Sequence, residues 1–229
     1  MSGSRAEKVE ALHARYADPL LTTLTVFLML IMFVVAPLQV YGGIGFTGLG
    51  AVIALLMIGG VRLLSRSLLP PLLMLIAVGI NALVIFHRLH GRGGTDDLYL
   101  SASAWLILSA TLGWVVARSV FAPGKINYHR IIGAILLYLL IAMAFASLYL
   151  LVGVKNPNAF ANVAFEDTPA LTSSLIYFSC VTLTTVGYGD ITPLHPFARS
   201  LCNLEAIIGQ LYPAILIGRL VTLQLERPD

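Results

Sequence analysis

Six long apolar runs follow one another along the chain: Leu20 to Val40, Ile44 to Val61, Leu68 to Phe86, Leu98 to Ala117, Ile131 to Val154 and Leu201 to Leu223. A bilayer core takes about 20 residues of helix to cross. Within it, every main-chain amide and carbonyl must bond inside the protein, so an apolar run of this length has to be a helix. Composition agrees: 58% of residues are hydrophobic and 11% are charged, whereas a soluble domain carries about a quarter charged. The sequence therefore predicts an all-α membrane protein with six transmembrane helices.

The basic residues say which way these helices run. Arg5, Lys8 and Arg15 lie in the N-terminal tail, Arg62 and Arg66 between the second and third runs, Arg118, Lys125 and Arg130 between the fourth and fifth, and Arg219 and Arg227 at the C-terminal end. In a six-span layout all of these fall on one side, against Arg88, Arg92, Lys155 and Arg199 on the other. Short cytoplasmic connections collect Lys and Arg, so both termini of this multi-pass cell-membrane protein are expected in the cytoplasm. The net charge of +3 expresses that asymmetry and not an affinity for nucleic acid. In the tail, Val9, Leu12 and Tyr16 fall at helical spacing, which suits either a surface-lying amphipathic helix or a disordered segment. Cys180 and Cys202 sit inside spans at no metal-ligand spacing and read as small packing residues.

Between the last two spans the sequence changes character. Lys155 to Thr168 is polar, and Thr168-Pro169 reads as an N-cap followed by the first residue of a helix. That helix can run only to about Leu183, too short to cross, so it is expected to be re-entrant. Leu183-Thr184-Thr185-Val186-Gly187-Tyr188-Gly189-Asp190 follows. Non-helical main chain at membrane depth is tolerated only where protein buries it or where it lines a water-filled path. If residues 185 to 189 run extended with their carbonyls turned one way, they offer a column of oxygen dipoles. Gly187 and Gly189 permit the φ values this needs, and Thr185 adds a hydroxyl at the inner end. Neutral oxygens in a column can replace the water around a weakly hydrated monovalent cation. The short helix would also aim the partial negative charge of its C-terminal end at the cavity below.

Thr185-Val186-Gly187-Tyr188-Gly189 followed by Asp190, set between a short helix and a last apolar span, resembles the signature of tetrameric potassium channels. The resemblance implies K+ held by the carbonyls at Thr185, Val186, Gly187 and Tyr188, with the permeant ion in place of any cofactor. One loop forms one wall of a filter, so a closed ring implies a homotetramer. Residues 131–229 would be the pore domain. Residues 20–118 would be a four-helix frame, 119–130 a basic cytoplasmic linker and 1–19 a cytoplasmic N-terminal segment. Many family members carry two adjacent tryptophans in the pore helix, forming an aromatic cuff behind the filter tyrosine. Tyr177 and Phe178 stand at those positions. Tyr177 keeps a hydroxyl for Asp190, while Phe178 has no donor, so one cuff bond is expected to be missing and the filter looser.

Further residues carry expectations of their own. The hydroxyls of Thr182 and Thr184 are placed either to support the filter or to bond back within the helix. In the last span Gly209 and Pro213 are able to bend the helix. Such points serve as gating hinges in this family, and they equally allow close packing. Gln210 and Tyr212 beside them suit the cavity or a neighbouring helix. Glu205 is the one acid well inside a span. It is expected behind the filter, bonded to amides or hydroxyls, with sensing and structural roles both open. Asn81 is a candidate for bonding between helices. His87 and His90 suit loop histidines better than a metal pair.

Six spans with a pore in the last two also resembles the voltage-gated layout, but a voltage sensor needs several arginines along its fourth span. Leu98 to Ala117 contains none, and Arg118 closes it. Weak voltage dependence follows. The reading is a passive potassium channel. The alternatives are a potassium-translocating subunit that needs a separate regulatory protein, or a non-conducting structural subunit. An enzyme is disfavoured, because no nucleophile–base pair or metal cluster stands out. The chain stops soon after the last span, so ligand control is expected from the membrane part or from a partner.

Overall fold

The computed structural model describes residues 19–41, 55–62, 67–91, 94–121 and 128–225. Among these, five helices are long and apolar enough to cross a membrane. They are α1 (Pro19–Val40), α3 (Leu69–Leu89), α4 (Thr95–Val120), α5 (Tyr128–Lys155) and α7 (Pro196–Leu225). Residues 55–62 form a helical segment, α2, at the end of the second expected span. The rest of that span lies outside the described residues, as do residues 1–18 of the N-terminal tail and residues 122–127 of the basic linker. The short helix α6 (Pro169–Leu183) begins and ends where its cap and the glycine-rich stretch put it.

Several helices outrun their apolar cores, because a helix continues past the hydrocarbon wherever its polar end residues can be solvated or capped. The polar loop expected from His87 to Asp97 is shortened in this way. α3 continues through His87 and Arg88, and α4 starts at Thr95 with Asp96 and Asp97 in its first turn, where carboxylates oppose the positive end of the helix dipole. Pro70 and Pro71 occupy the first turn of α3, where a missing amide costs least. α1 carries one π-helical turn, Ile31–Val35, with Ile31, Met32 and Val35 buried.

α5 is the hub. Half of its most apolar stretch is buried, against 17% of that of α7. Its inward face is rich in small residues, including Gly133, Ala134, Ala142, Ala146 and Ser147, which let neighbouring backbones approach. At Gly133 a Cβ would lie 2.9 Å from Val120 and 3.0 Å from Leu21, so glycine there is what admits α4 and α1 together. Beside it, Thr22 Oγ1 lies 3.0 Å from His129 Nδ1. The core continues through Leu140 and Met143 into Leu171, Leu175 and Ile176 of α6. At the end of α5 away from His129, β1 (Phe160–Ala161) pairs antiparallel with β2 (Thr192–Pro193). This short ladder clips the segment before α6 to the segment after the glycine-rich stretch.

Asn81 does not bond between helices as expected, and the two histidines expected in a loop lie at the C-terminal end of α3. Asn81 donates to Ala77 O of its own helix, not to a neighbour. His87 and His90 do not face a common point. His87 Nδ1 is 2.9 Å from the buried Asp97 carboxylate, while His90 bonds Phe86 O and packs on the Phe86 ring.

Candidate functional site

The site is built on the C-terminal end of α6. Thr168 Oγ1 accepts from Leu171 N and Pro169 follows, which starts the helix. At its other end the chain leaves the helix but stays bonded to it. The amide of Thr184 donates to Cys180 O, that of Thr185 to Thr182 O, and those of Val186 and Gly187 to Val181 O. The last turn's orphan carbonyls are thereby used on the loop's amides.

The loop's other polar edge is left over. Residues 185, 187 and 189 have φ of 59°, 58° and 79°, while Val186 and Tyr188 between them keep negative φ. A positive φ at every second residue lets successive carbonyls turn toward the same side. Among the described residues, no hydrogen bond ends on the carbonyl oxygens of 185–189. At both glycines a Cβ would meet nothing within 4 Å, so glycine is needed there for its φ and not for space. Thr185 is the costly position, because a β-branched residue rarely adopts positive φ. Strain of this kind concentrates at functional sites. Gln210 Nε2 of α7 donates to Thr185 Oγ1 at 2.8 Å, which fixes that residue from behind.

The outer end is held independently. Asn162 Nδ2 donates to Asp190 O at 2.7 Å. The Tyr177 hydroxyl faces the Asp190 carboxylate as a hydrogen-bond partner, and the Tyr177 and Tyr188 rings stack with centroids 6.3 Å apart and planes 3° from parallel. Phe178 points elsewhere. Its ring is buried 5.0 Å from that of Tyr149 and 5.6 Å from that of Phe160. Thr184 and Thr182 turn their hydroxyls back onto Cys180 O and Phe178 O, so both bond within the helix.

Below the loop, α7 meets the end of α6 at Gly209. A Cβ at 209 would lie 1.8 Å from Leu183 O, so only glycine fits. Tyr138 donates to the same carbonyl at 3.2 Å and stacks on Tyr212, whose hydroxyl bonds Ala134 O at 2.8 Å. Pro213 lies within α7. Lacking an amide, it cannot bond the carbonyl four residues back, which is that of Gly209. Both residues expected to bend this helix therefore act on one turn, directly beneath the site. Glu205 is fully buried one turn above. It accepts from the Tyr149 hydroxyl and lies 2.5 Å from Ser179 Oγ.

Sequence reasoning missed Tyr149, Ser179, Asn162 and Tyr138, and it left the direction of Gln210 open. Glu205 itself was the available signal for two of them, since a buried carboxyl needs donors from the helices that face it.

Residues 133–225, which contain every part of this site, match the family model described as "Ion channel". The chain is 31% identical over 130 residues to Protein LctB of Bacillus caldotenax, an alignment spanning 55% of this chain and 95% of LctB. It is 34% identical over 92 residues to the inward rectifier potassium channel Kirbac3.1 of Paramagnetospirillum magnetotacticum, spanning 40% of this chain and 28% of that one. Two pore potassium channel c of Oryza sativa subsp. japonica is 35% identical over 89 residues, 37% of this chain and 19% of the relative. The chain belongs to the family of LctB and is a multi-pass membrane protein with an ion-channel pore domain related to those of potassium channels, not an enzyme.

Proposed function

We propose that this protein conducts K+ selectively and passively across the membrane, through a filter lined by the carbonyls of Thr185, Val186, Gly187, Tyr188 and Gly189. One observation carries the reading. The amides of 184–187 are bonded to α6 while φ alternates in sign along 185–189, so a row of neutral oxygens is left with no partner among the described residues. Such a row suits a cation that gives up its water cheaply.

A row of oxygens on one side of an ion does not enclose it, so four copies in a ring complete the site. Val186 and Tyr188 are 53% and 71% exposed in the single chain, and Leu204, Ile207, Leu211 and Ile215 of α7 are all exposed, as expected of surfaces that meet sister subunits and lipid. In this reading residues 131–229 are the pore domain and 20–118 a frame around it. Asp190 and Tyr177 brace the outer end of the filter, and the turn from Gly209 to Pro213 is where α7 bends on opening. The termini face the cytoplasm, on the charge asymmetry of the connections.

The test is flux. Purified protein in liposomes with a K+ gradient is expected to pass K+ over Na+ and to be blocked by Ba2+. Equal passage of the two ions, or none, rejects the reading. A tetramer is expected by mass measurement in native lipid discs.

A further inference from the structure

Glu205 sits where the three helices of the pore domain meet. Its carboxyl is reached by Tyr149 of α5 and Ser179 of α6, and all three residues are 0% exposed. Three polar contacts join in series: Tyr149 hydroxyl to Glu205 Oε2, Glu205 Oε1 to Ser179 Oγ at 2.5 Å, and Ser179 Oγ to Ala142 O at 2.7 Å. Each contact needs one proton between its two oxygens.

The hydroxyls cannot supply three. Tyr149 has one proton and Ser179 has one, and the Ala142 carbonyl only accepts. With an ionised Glu205, one of the two contacts of Ser179 would press lone pairs together at hydrogen-bond distance, out of reach of bulk water. The titratable groups that face the carboxyl are Tyr149, Cys180, Cys202 and Tyr138. None is basic, so no counter-charge would offset a buried carboxylate.

We propose that Glu205 carries its acid proton in the folded channel and, as a neutral acid, is the positioning residue that locks α5, α6 and α7 together behind the filter. The chain of bonds then has one direction. Tyr149 donates to Oε2, Oε1–H donates to Ser179 Oγ, and Ser179 donates to Ala142 O. Every proton is used and every acceptor is filled, which is the condition under which a buried polar network stabilises. The lock fixes α6 one helical turn above the contact of Gly209 with Leu183. It also holds the strand of residues whose amides hang from the end of α6.

Infrared difference spectra of the full chain in lipid at neutral pH test the proton directly. Wild type minus Glu205→Gln is expected to show the C=O stretch of a protonated carboxylic acid. Wild type minus Ser179→Ala is expected to show the same band displaced to higher frequency, as its acceptor is lost. Carboxylate bands in place of the acid band overturn the proposal, and either variant alone is enough to read it. K+ flux in liposomes tests the positioning role. Glutamine accepts from Tyr149 and donates to Ser179 as the neutral acid does, so Glu205→Gln is expected within about threefold of wild type. Glu205→Ala leaves the buried Tyr149 hydroxyl without its carboxyl acceptor and cuts the link from α7 to Ser179, which keeps only Ala142 O, and its flux is expected to fall at least about tenfold. A loss in Glu205→Gln as large as in Glu205→Ala rejects the role. The inference rests on the fold and not on the ion, so absent K+ selectivity in wild type would sink the proposed function while leaving the infrared result standing.

Discussion

At position 209 the sequence has no choice. The atom facing it, Leu183 O, belongs to main chain at the end of α6 and cannot rotate aside, unlike the Phe165 ring that crowds Gly153. Gly209→Ala is expected to force α7 from α6, with an overpacking cost of ~1–3 kcal/mol or more and a lowered Tm by thermal unfolding in lipid. Gly79 is the control. A Cβ there meets nothing within 4 Å, so Gly79→Ala should stay within ~1 kcal/mol of wild type, and an equal drop in both variants would refute the packing argument. Phe178 shows where motif reasoning stops. The sequence placed it beside Tyr177 in the pore helix, but helical periodicity sends adjacent residues to different faces. Tyr177 reaches Tyr188 while Phe178 enters the cluster of Tyr149 and Phe160. Phe178→Trp is therefore expected to overfill that cluster and lower Tm, not to mend a cuff. An unchanged Tm with slower inactivation would favour the cuff after all.

Between elements, long-range polar contacts do what periodicity cannot announce. α3 ends next to the cap of α6, and Arg88 bridges them. Its Nε lies 3.0 Å from Asp167 Oδ2 and its Nη2 2.5 Å from Oδ1, a two-point grip on the residue that precedes the helix cap. Nothing in the spacing of residues 88 and 167 foretells this, whereas Thr168-Pro169 did foretell the helix start. Arg88 is 39% exposed and Asp167 15%, so solvent screens the pair and a coupling of about 1 kcal/mol or less is expected. A double-mutant cycle with Arg88→Ala and Asp167→Ala measures it, and the coupling should shrink as ionic strength rises past the Debye regime. A coupling that salt leaves unchanged would mean the two side chains matter through packing. The expected hinge of α7 was half legible. Pro213 and Gly209 are plain in the sequence, but only the register of α7 on α6 shows that the unbonded carbonyl and the closest backbone contact fall at the same residue.

For the whole molecule the decisive property is where charge is not. The sequence from Pro19 to Val40 and from Ile44 to Val61 has no ionisable side chain. In α3 the basic residues are His87 and Arg88, both in the last turn. In α4 the charges are Asp96 and Asp97 in the first turn and Arg118 in the last. Arg118 sits 4.7 Å over the Trp114 ring, and Asp97 is tied to His87. None of these groups is positioned to travel through the membrane field, and each elementary charge that did would yield ~2.3 kcal/mol per 100 mV. α4 is nevertheless attached to α7. Arg219 of α7 donates to the carbonyls of Val120 and Phe121 at the end of α4 and packs on the Phe121 ring. We propose that helices so attached, but without charge to move them, act as a collar that passes force to α7 without generating it from voltage. Single-channel or macroscopic recording should therefore give a shallow conductance–voltage relation, with a limiting slope of about one elementary charge or fewer. Arg219→Ala should alter open probability evenly across voltage without steepening that slope. A slope of several charges would mean that ionisable groups do cross the field, and the collar would have to be a sensor.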